Sequence, residues 1–182
     1  MQPLKNSLTE KNKSMNPLVE HLPRLRRYAT ALTRDAERAE DLLQDTLERA
    51  YRKWHLWQPG SNLRAWLFSI MHNVYMNQVV REAKRPMVVP LDEALGVSTA
   101  ACNEAQMATR DLLAALGQLP DEQREVVLLV CLEDMKYEEA AYVLRIPVGT
   151  VRSRLARGRE KLRRLMEGLP NEDNISKLKV VK

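Results

Sequence analysis

Side chains able to grip a nucleic acid are concentrated between Ile146 and Met166, where seven arginines and lysines accompany a single acid, Glu160. Guanidinium groups bind phosphate oxygens, and in the major groove of DNA they also bind the edge of guanine. Contacts to bases are predicted for side chains on or beside the face opposite an apolar stripe: Arg152, Ser153, Arg154, Ala156 and Arg157. Phosphate contacts, which set position rather than sequence preference, are predicted for Thr150, Arg159 and Lys161. The alternative is a surface helix whose arginines are simply solvated.

A second group of polar side chains is acidic and lies in the first half of the chain. Its members are spaced by three and four residues, which places them on one face of a helix: Asp41, Gln44, Asp45 and Glu48. Most basic residues of the same helix stand at its end, which leaves the carboxylates in the middle without partners nearby in the sequence. The face therefore predicts either a protein-docking surface or a solvated surface that pairs with its own arginines.

A third group carries amides on a predicted helix that follows. Asn73 and Asn77 are one turn apart and flank the apolar stripe of that helix. Amide side chains can bond the edge of an unstacked base, although they are also ordinary polar surface. The same helix ends in the basic cluster Arg81, Lys84 and Arg85, before Pro86.

Two closely joined helices must position the basic segment. Tyr137–Leu144 predicts a short helix, Arg145 and Ile146 form a tight turn, and Pro147 starts the second helix. The apolar stripe of the second helix consists of Val151, Leu155, Leu162 and Met166. This arrangement is typical of a helix-turn-helix motif, and it weakens the alternative of a solvated basic helix.

The remaining apolar residues also recur at helical spacing, and the whole pattern predicts an all-α fold. Helices are predicted over Leu18–Leu32 with a start at Pro23, over Asp35–Trp54, from Leu63 to about Lys84 with Asn62 as the cap, over Glu104–Leu116, and from Asp121, as the cap, to about Leu132. Leu43, Leu47, Ala50 and Tyr51 are predicted to form the buried stripe of the second of these helices.

The predicted organisation is two small helical domains joined by a linker, the second domain containing the helix-turn-helix. The first domain covers residues 16–86, the linker 87–103 and the second domain 104–168. Residues 1–15 are predicted to be a disordered extension because Met1–Ser14 is polar and lacks an apolar period. Residues 169–182 are predicted to be a loose tail.

Composition narrows the class of function. The net charge of +5 and the pI near 9.3 favour a polyanionic partner. We expect no membrane span and no signal peptide, because no long apolar run is present and the first residues are polar. Cys102 and Cys131 stand alone, so a reducing cytoplasm is expected, with Cys131 as a small core residue. No nucleophile–base pattern, phosphate loop or metal cluster is apparent, which predicts a protein that is not an enzyme and has no cofactor.

These motifs together resemble a known family. From about Leu18 to Met166 the chain resembles a group IV, or extracytoplasmic-function, sigma factor of bacterial RNA polymerase. The similar segments are AEDLLQDTLERAYRKW to the polymerase-binding helix, NLRAWLFSIMHNVYMNQVVR to the part that reads the −10 element, and LPDEQREVVLL with YEEAAYVLRIPVGTVRSRLARGREKLR to the part that reads the −35 element.

The resemblance implies roles for the matching positions. Those expected to meet the clamp helices of the largest subunit of core RNA polymerase are Asp41, Gln44, Asp45 and Glu48. Those expected to bind promoter DNA are Asn73, Asn77 and Arg81 at the −10 element, and Thr150, Arg152, Ser153, Arg154 and Arg157 at the −35 element. The implied function is an alternative sigma factor that directs promoter-specific initiation, and the resemblance also implies an inhibitory anti-sigma partner.

Two other functions are compatible with parts of the pattern. A stand-alone helix-turn-helix regulator would need a dimerisation face or a ligand pocket, and the sequence has neither a long heptad run nor a glycine-rich site. A sigma mimic that sequesters an anti-sigma factor predicts a degraded recognition helix, whereas Arg152, Arg154 and Arg157 are all present.

Overall fold

The computed structural model of the protein describes residues 4–83 and 104–168, with side chains from Pro17 to Ala83 and from Met107 to Gly168. The predicted linker at 87–103 and the predicted tail at 169–182 lie outside the described residues. The elements are α1 Leu4–Thr33, α2 Ala36–Arg52, a 3₁₀ turn Trp54–Leu56, α3 Leu63–Ala83, α4 Glu104–Gly117, α5 Asp121–Val127, a π-helical turn Leu128–Leu132, α6 Tyr137–Leu144 and α7 Val148–Met166. The prediction of an all-α fold with two helical domains is confirmed.

The first domain is built from α1, α2 and α3, with α2 packed against both of the others. Its centre is an edge-to-face contact between Tyr28 and Phe68, whose ring centroids lie 5.1 Å apart. Helix α1 contains both Pro17 and Pro23, so the prediction that the helix begins at Pro23 is wrong. A proline removes only one backbone donor, and Leu18 and Leu25 are buried on either side of Pro23, so packing overrides the local preference.

Helix α1 also extends through residues 4–14, where the sequence predicted a disordered extension. Adding residues to a helix that is already formed needs no new nucleation, so a polar segment can continue a packed helix. The prediction of disorder rested on the composition of this segment alone and did not consider the packed helix that follows it.

Side-chain caps define the starts of α2 and α3. The Asp35 carboxylate accepts a hydrogen bond of 2.8 Å from the backbone N–H of Arg38. The predicted cap at Asn62 is confirmed, because its Oδ1 accepts the backbone N–H of Ala65 at 3.0 Å. One predicted member of the buried stripe of α2 is wrong: Tyr51 is 53% exposed, because it lies on the solvent side of the last turn, whereas Ala50 beside it is buried.

The second domain is built from α4 to α7 and contains the predicted helix-turn-helix, α6 and α7. Arg145 ends α6 in the left-handed conformation, with φ at 55°, and the N–H of Ile146 bonds the carbonyl of Ala141 at 3.2 Å. This closing pattern turns the chain sharply into Pro147, the N-cap of α7. The tight turn inferred from the sequence is therefore present.

Two local predictions in the second domain are wrong. Asp121 is the first residue of α5 rather than its cap, and its carboxylate accepts a hydrogen bond from Arg124 within the helix. Cys131 is exposed rather than buried, because it lies on the outer side of the π-helical turn, whose Leu128 and Leu129 are buried. Its Sγ accepts a hydrogen bond of 3.3 Å from Arg159 of α7.

The two domains lie against each other. Helix α3 packs on α6, and α1 packs on the π-helical turn. This contact contains several charged side chains, including Glu133, which is fully buried. Across 4–83 and 104–168, no helix is both long enough and apolar enough to cross a membrane.

Candidate nucleic-acid and protein interfaces

The acidic face of α2 is exposed along most of its length. Asp41, Gln44 and Glu48 are exposed, whereas Asp45 is half-buried because its Oδ2 accepts a hydrogen bond of 3.2 Å from Nε2 of Gln78 on α3. The structure thus brings the four predicted residues together on one surface. The expectation that the carboxylates in the middle lack partners does not hold for Glu48, whose Oε1 lies 2.5 Å from Nη2 of Arg52. Such an exposed pair contributes about 0–1 kcal/mol and is easily exchanged for a partner's basic group.

A cavity of about 370 Å³ separates this face from the end of α3, and its lining includes Arg38, Asp41, Gln78, Arg81 and Glu82. Arg38 and Glu82 bridge the two helices at 2.7 Å. Arg81, which the sequence grouped with the amides of α3, therefore lies beside the acidic face as well. The predicted docking surface and the end of the predicted DNA-reading helix are adjacent.

The two predicted amides on α3 differ in their surroundings. Asn73 is half-buried and donates a hydrogen bond of 2.5 Å to the carbonyl of Ser69, which holds the amide along the helix. Asn77 is exposed, and the large apolar side chains of Met76 and Val80 are exposed beside it. A ridge that combines apolar groups with an amide is suited to separated bases, which expose an apolar face and a polar edge.

A groove between the start of α3 and α6 was missed by the sequence analysis. It has a volume of about 450 Å³, and its lining includes Trp57, Gln58, Asn62 and Trp66 from the first domain and Glu138, Glu139 and Tyr142 from the second. The indole N–H of Trp57 is buried there without a partner in the described part of the chain. No periodicity in the sequence could have indicated this groove, because it forms only when the two domains meet.

The recognition helix α7 exposes Arg152, Ser153, Ala156 and Arg157. The Arg152 guanidinium lies 5.7 Å from the centre of the Tyr137 ring, and the Ser153 hydroxyl donates to the carbonyl of Thr150 at 3.1 Å. Arg154 is less available: its side chain is 24% exposed and lies 2.6 Å from a carboxylate oxygen of Glu122 on α5. Thr150 is half-buried, which limits it to the edge of any contact.

Charge is distributed unevenly along α7. In its C-terminal half, Glu160 receives hydrogen bonds from Arg163 and Arg164, and Arg163 also pairs with Glu167 at 2.6 Å. The bonds from Arg163 and Arg164 lower the pKa of the Glu160 carboxyl to about 2. Arg163 and Arg164 are thus offset by acids, whereas Arg152 and Arg157 of the N-terminal half are exposed. Exposed guanidinium groups are therefore present at the end that the sequence assigned to base contacts.

Packing fixes the orientation of α7 on the domain. Val151 and Leu155 are buried, and the backbone at Gly158 lies against α5, where a Cβ atom would come within 2.8 Å of Cγ2 of Val127. This close approach leaves the face with Arg152, Ser153 and Arg157 outward.

Among residues 17–83 and 107–168, no cluster of three His, Cys, Asp or Glu side chains could hold a metal ion.

Comparison with known proteins gives matches in both halves. Residues 18–72 match the family described as the sigma2 domain of PhyR, and residues 109–162 match sigma-70, region 4. The chain is 37% identical to the ECF RNA polymerase sigma factor EcfG of Rhodopseudomonas palustris, over 80% of each chain. It is 30% identical to the ECF RNA polymerase sigma factor SigM of Bacillus subtilis, over 81% of this chain and 91% of that one.

Solved structures agree with these matches. The sigma factor RpoE of Bartonella quintana, in its complex with the anti-sigma factor NepR, superposes with a TM-score of 0.72 at 32% identity. The superposition covers 83% of this chain and 94% of RpoE. With two sigma-factor domains in the expected order and relatives aligned along most of its length, the chain belongs to the extracytoplasmic-function (ECF) sigma factors of bacterial RNA polymerase.

Proposed function

We propose that this chain binds core RNA polymerase through the acidic face of α2 and directs it to promoters through α3 and α7. The observation that supports this proposal most directly is the placement of three chemically different surfaces on separate exposed faces. The acidic face of α2, the amide and apolar ridge of α3 and the basic N-terminal half of α7 do not overlap. One chain could therefore contact a protein, separated DNA strands and duplex DNA at the same time.

The presence of a polymerase-binding surface beside two DNA-binding surfaces has an energetic reason. A good bidentate contact to a base in the major groove contributes about 1–3 kcal/mol of discrimination. Separating stacked bases costs a few kcal/mol per step. Reading duplex DNA alone does not offset the cost of opening it, so a protein that opens promoters gains from a partner that holds the rest of the duplex. The acidic face of α2 would bind that partner.

At the −10 element we assign DNA contacts to Asn73, Asn77 and Arg81. Asn77 is exposed and available, whereas Asn73 would have to release the Ser69 carbonyl before its amide could bond a base. Arg81 lies at the end of α3 near Asp41, where it could bind either DNA or polymerase.

At the −35 element we assign contacts to Thr150, Arg152, Ser153, Arg154 and Arg157. Arg152 and Arg157 are the exposed cations closest to the start of α7, where the helix would enter the major groove. Arg154 would exchange its Glu122 partner for DNA, so Glu122 positions this side chain in the free protein.

We also propose that an anti-sigma factor controls the chain. RpoE, which superposes on this chain at a TM-score of 0.72, was solved with the anti-sigma factor NepR, and CnrH, at a TM-score of 0.66, was solved with the cytosolic domain of CnrY. A shared two-domain architecture makes the same kind of partner reasonable for this chain.

Run-off transcription with purified core RNA polymerase tests the function. With any inhibitor absent, the chain should cause initiation at discrete start sites on a genomic library, and the aligned upstream sequences should contain two conserved blocks. Initiation at no particular site, despite a folded chain and active core enzyme, would refute the proposal.

The assignment of Arg157 is tested by Arg157→Ala. We expect it to weaken binding to the preferred −35 duplex by about 1–3 kcal/mol while binding to unrelated duplexes changes little. Arg163→Ala is the matched control, because Arg163 lies on the same helix but is paired with Glu160 and Glu167. An equal loss on all duplexes would make Arg157 a phosphate contact.

A sigma mimic is the second candidate function. The match of residues 18–72 to the sigma2 domain of PhyR favours it, and the PhyR of Bartonella quintana was solved as an anti-anti-sigma factor with NepR. The exposed arginines at the start of α7 speak against it, because a mimic needs no DNA-binding surface. The transcription assay separates the two, since a mimic would not support initiation.

A further inference from the structure

We propose that Arg145, in the turn of the helix-turn-helix, is a further DNA-binding residue whose guanidinium binds a phosphate at the edge of the −35 major groove. It is not among the residues assigned to DNA above. The inference rests on the proposed function, because it takes α7 as the helix that enters the groove.

The backbone of Arg145 has a conformation that arginine rarely adopts. Its φ of 55° and ψ of 42° lie in the left-handed region, where the Cβ atom of an L-residue crowds the backbone. Glycine avoids this strain and is the residue most often found where a helix ends in this way. The arginine side chain is therefore present at a steric cost, and strain of this kind is typical of functional positions.

The Arg145 guanidinium has no partner in the described part of the chain. The side chain is exposed, and it forms no hydrogen bond or ion pair with residues 17–83 and 107–168. Arg34, which follows α1 with φ at 60°, is different, because a Cβ atom at Gly117 of α4 would collide with its guanidinium. Packing against α4 thus accounts for the arginine at position 34, whereas the guanidinium of Arg145 is left for a partner outside the chain.

The position of Arg145 in the motif favours a contact with the DNA backbone. Arg145 stands two residues before Pro147, the N-cap of α7. A recognition helix of this motif enters the major groove with its N-terminal residues, so the turn that precedes it lies near the edge of the groove. Phosphates line that edge, and they are the groups that most protein–DNA hydrogen bonds reach.

The surroundings of Arg145 do not neutralise its charge. The cavity beside it has a volume of about 670 Å³, and its lining includes Ser69 of α3, Tyr142 of α6, and Ile146 and Val148 at the start of the recognition helix. None of these residues is acidic. A guanidinium without a carboxylate partner binds phosphate well, and a phosphate contact fixes position rather than sequence. Arg145 should therefore add affinity for every duplex rather than preference for one.

Three variants of the full chain separate a phosphate contact from a structural role. Arg145→Gly removes the guanidinium and relieves the backbone, whereas Arg145→Lys keeps both the charge and the strain. Arg34→Gly is the matched control, because it makes the same substitution at a similar φ, with the same loss of charge, in the first domain. Each is titrated at several salt concentrations with two labelled duplexes, one carrying a promoter found by run-off transcription and one with the same bases scrambled.

We expect Arg145→Gly to bind both duplexes about threefold to tenfold more weakly at about 0.1 M salt. The slope of log affinity against log salt concentration should become shallower by about one. The melting temperature of this variant should rise by about 2–4 °C, because glycine relieves the left-handed backbone. A gain in stability together with a loss of affinity is not the result of removing a structural arginine.

The other two variants should keep the salt slope of the unaltered chain, and their affinities should stay within about twofold of it. Arg145→Lys keeps the cation at the turn, and its melting temperature should not rise because the strain remains. Arg34→Gly removes a cation that lies away from α7, so it measures the effect of net charge alone.

Several outcomes would overturn the assignment. One is unchanged affinity and salt slope in Arg145→Gly, and another is an equal loss in Arg34→Gly. A loss confined to the promoter duplex would make Arg145 a base contact, and weaker binding with a lower melting temperature would make it a structural residue. Binding to the scrambled duplex needs no polymerase. A failure of the proposed sigma function would appear instead as the absence of specific initiation by the unaltered chain.

Discussion

At the scale of single residues, Asp45 differs from the other members of the acidic face. Its carboxylate is half-buried and bonded to Gln78, so it is held in place, whereas Asp41, Gln44 and Glu48 extend into solvent. We expect Asp45→Arg to weaken core-polymerase binding at least tenfold, or about 1.4 kcal/mol, because it reverses a fixed charge at the proposed contact. Titration of labelled chain with core enzyme measures the affinity.

Glu40→Arg is the matched control for Asp45→Arg. Glu40 lies on the same helix at the edge of the acidic face, one turn before Gln44, and it pairs with Arg26 of α1. The control should retain core binding and lose less than about 1 kcal/mol of stability, since the pair is exposed. Unchanged core binding by Asp45→Arg would remove Asp45 from the docking surface.

Glu160 supplies a prediction about pH at the residue scale. Its pKa is lowered from 4.5 to about 2 by hydrogen bonds from Arg163 and Arg164. A lowered pKa in the folded state means that the contribution of these pairs to stability is complete above pH 4.5, and that it is lost as the pH falls toward 2. Carboxyl NMR should therefore show Glu160 ionised at pH 3. A midpoint near 4.5 would show that these pairs do not form in solution.

At the scale of elements, the position of α7 depends on the close approach of Gly158 to α5. Gly158→Ala improves helix propensity by about 1 kcal/mol, but the new methyl group meets the stiff side chain of Val127, and overpacking costs about 1–3 kcal/mol. We expect a net loss of stability of up to about 2 kcal/mol by thermal or denaturant unfolding.

Gly149→Ala is the matched control in the same helix. A Cβ at Gly149 meets nothing within 4 Å, so this variant should be as stable as the unaltered chain or more stable. A gain from both substitutions would mean that α7 can shift away from α5 without cost, and that Gly158 does not fix its orientation.

At the scale of the whole molecule, the domain contact predicts a response to salt. Ion pairs weaken as the Debye length falls from about 10 Å at 0.1 M to about 3 Å at 1 M, whereas an apolar interface would not weaken in this way. We expect the radius of gyration of the free chain to rise between roughly 0.05 M and 0.5 M sodium chloride. Arg27→Glu, which replaces the ion pair between Arg27 and Glu133 by two like charges, should change less than the unaltered chain. Contraction of the unaltered chain over this range would contradict the prediction.

Several features followed from the sequence because they depend on local spacing. The positions of α2, α3 and α7, the cap at Asn62, the acidic face and the basic face were all predicted from three- and four-residue periodicity. These features need only a helix and its amphipathic pattern, both of which are encoded within about 20 residues. The same local reasoning predicted the wrong start for α1, because burial of the leucines on both sides of Pro23 outweighs its local effect.

Contacts between segments distant in the chain were decided only by the tertiary structure. Arg27 and Glu133 are 106 residues apart, and Arg64 and Glu139 are 75 apart, so no window of sequence relates them. The same holds for the bond between Asp45 and Gln78 and for the groove at Trp57. Helical periodicity specifies which face of a helix is polar, but the partner of that face depends on how whole helices pack. The sequence alone therefore determined the helices and their chemically distinct faces, and the tertiary structure decided which of those faces are joined.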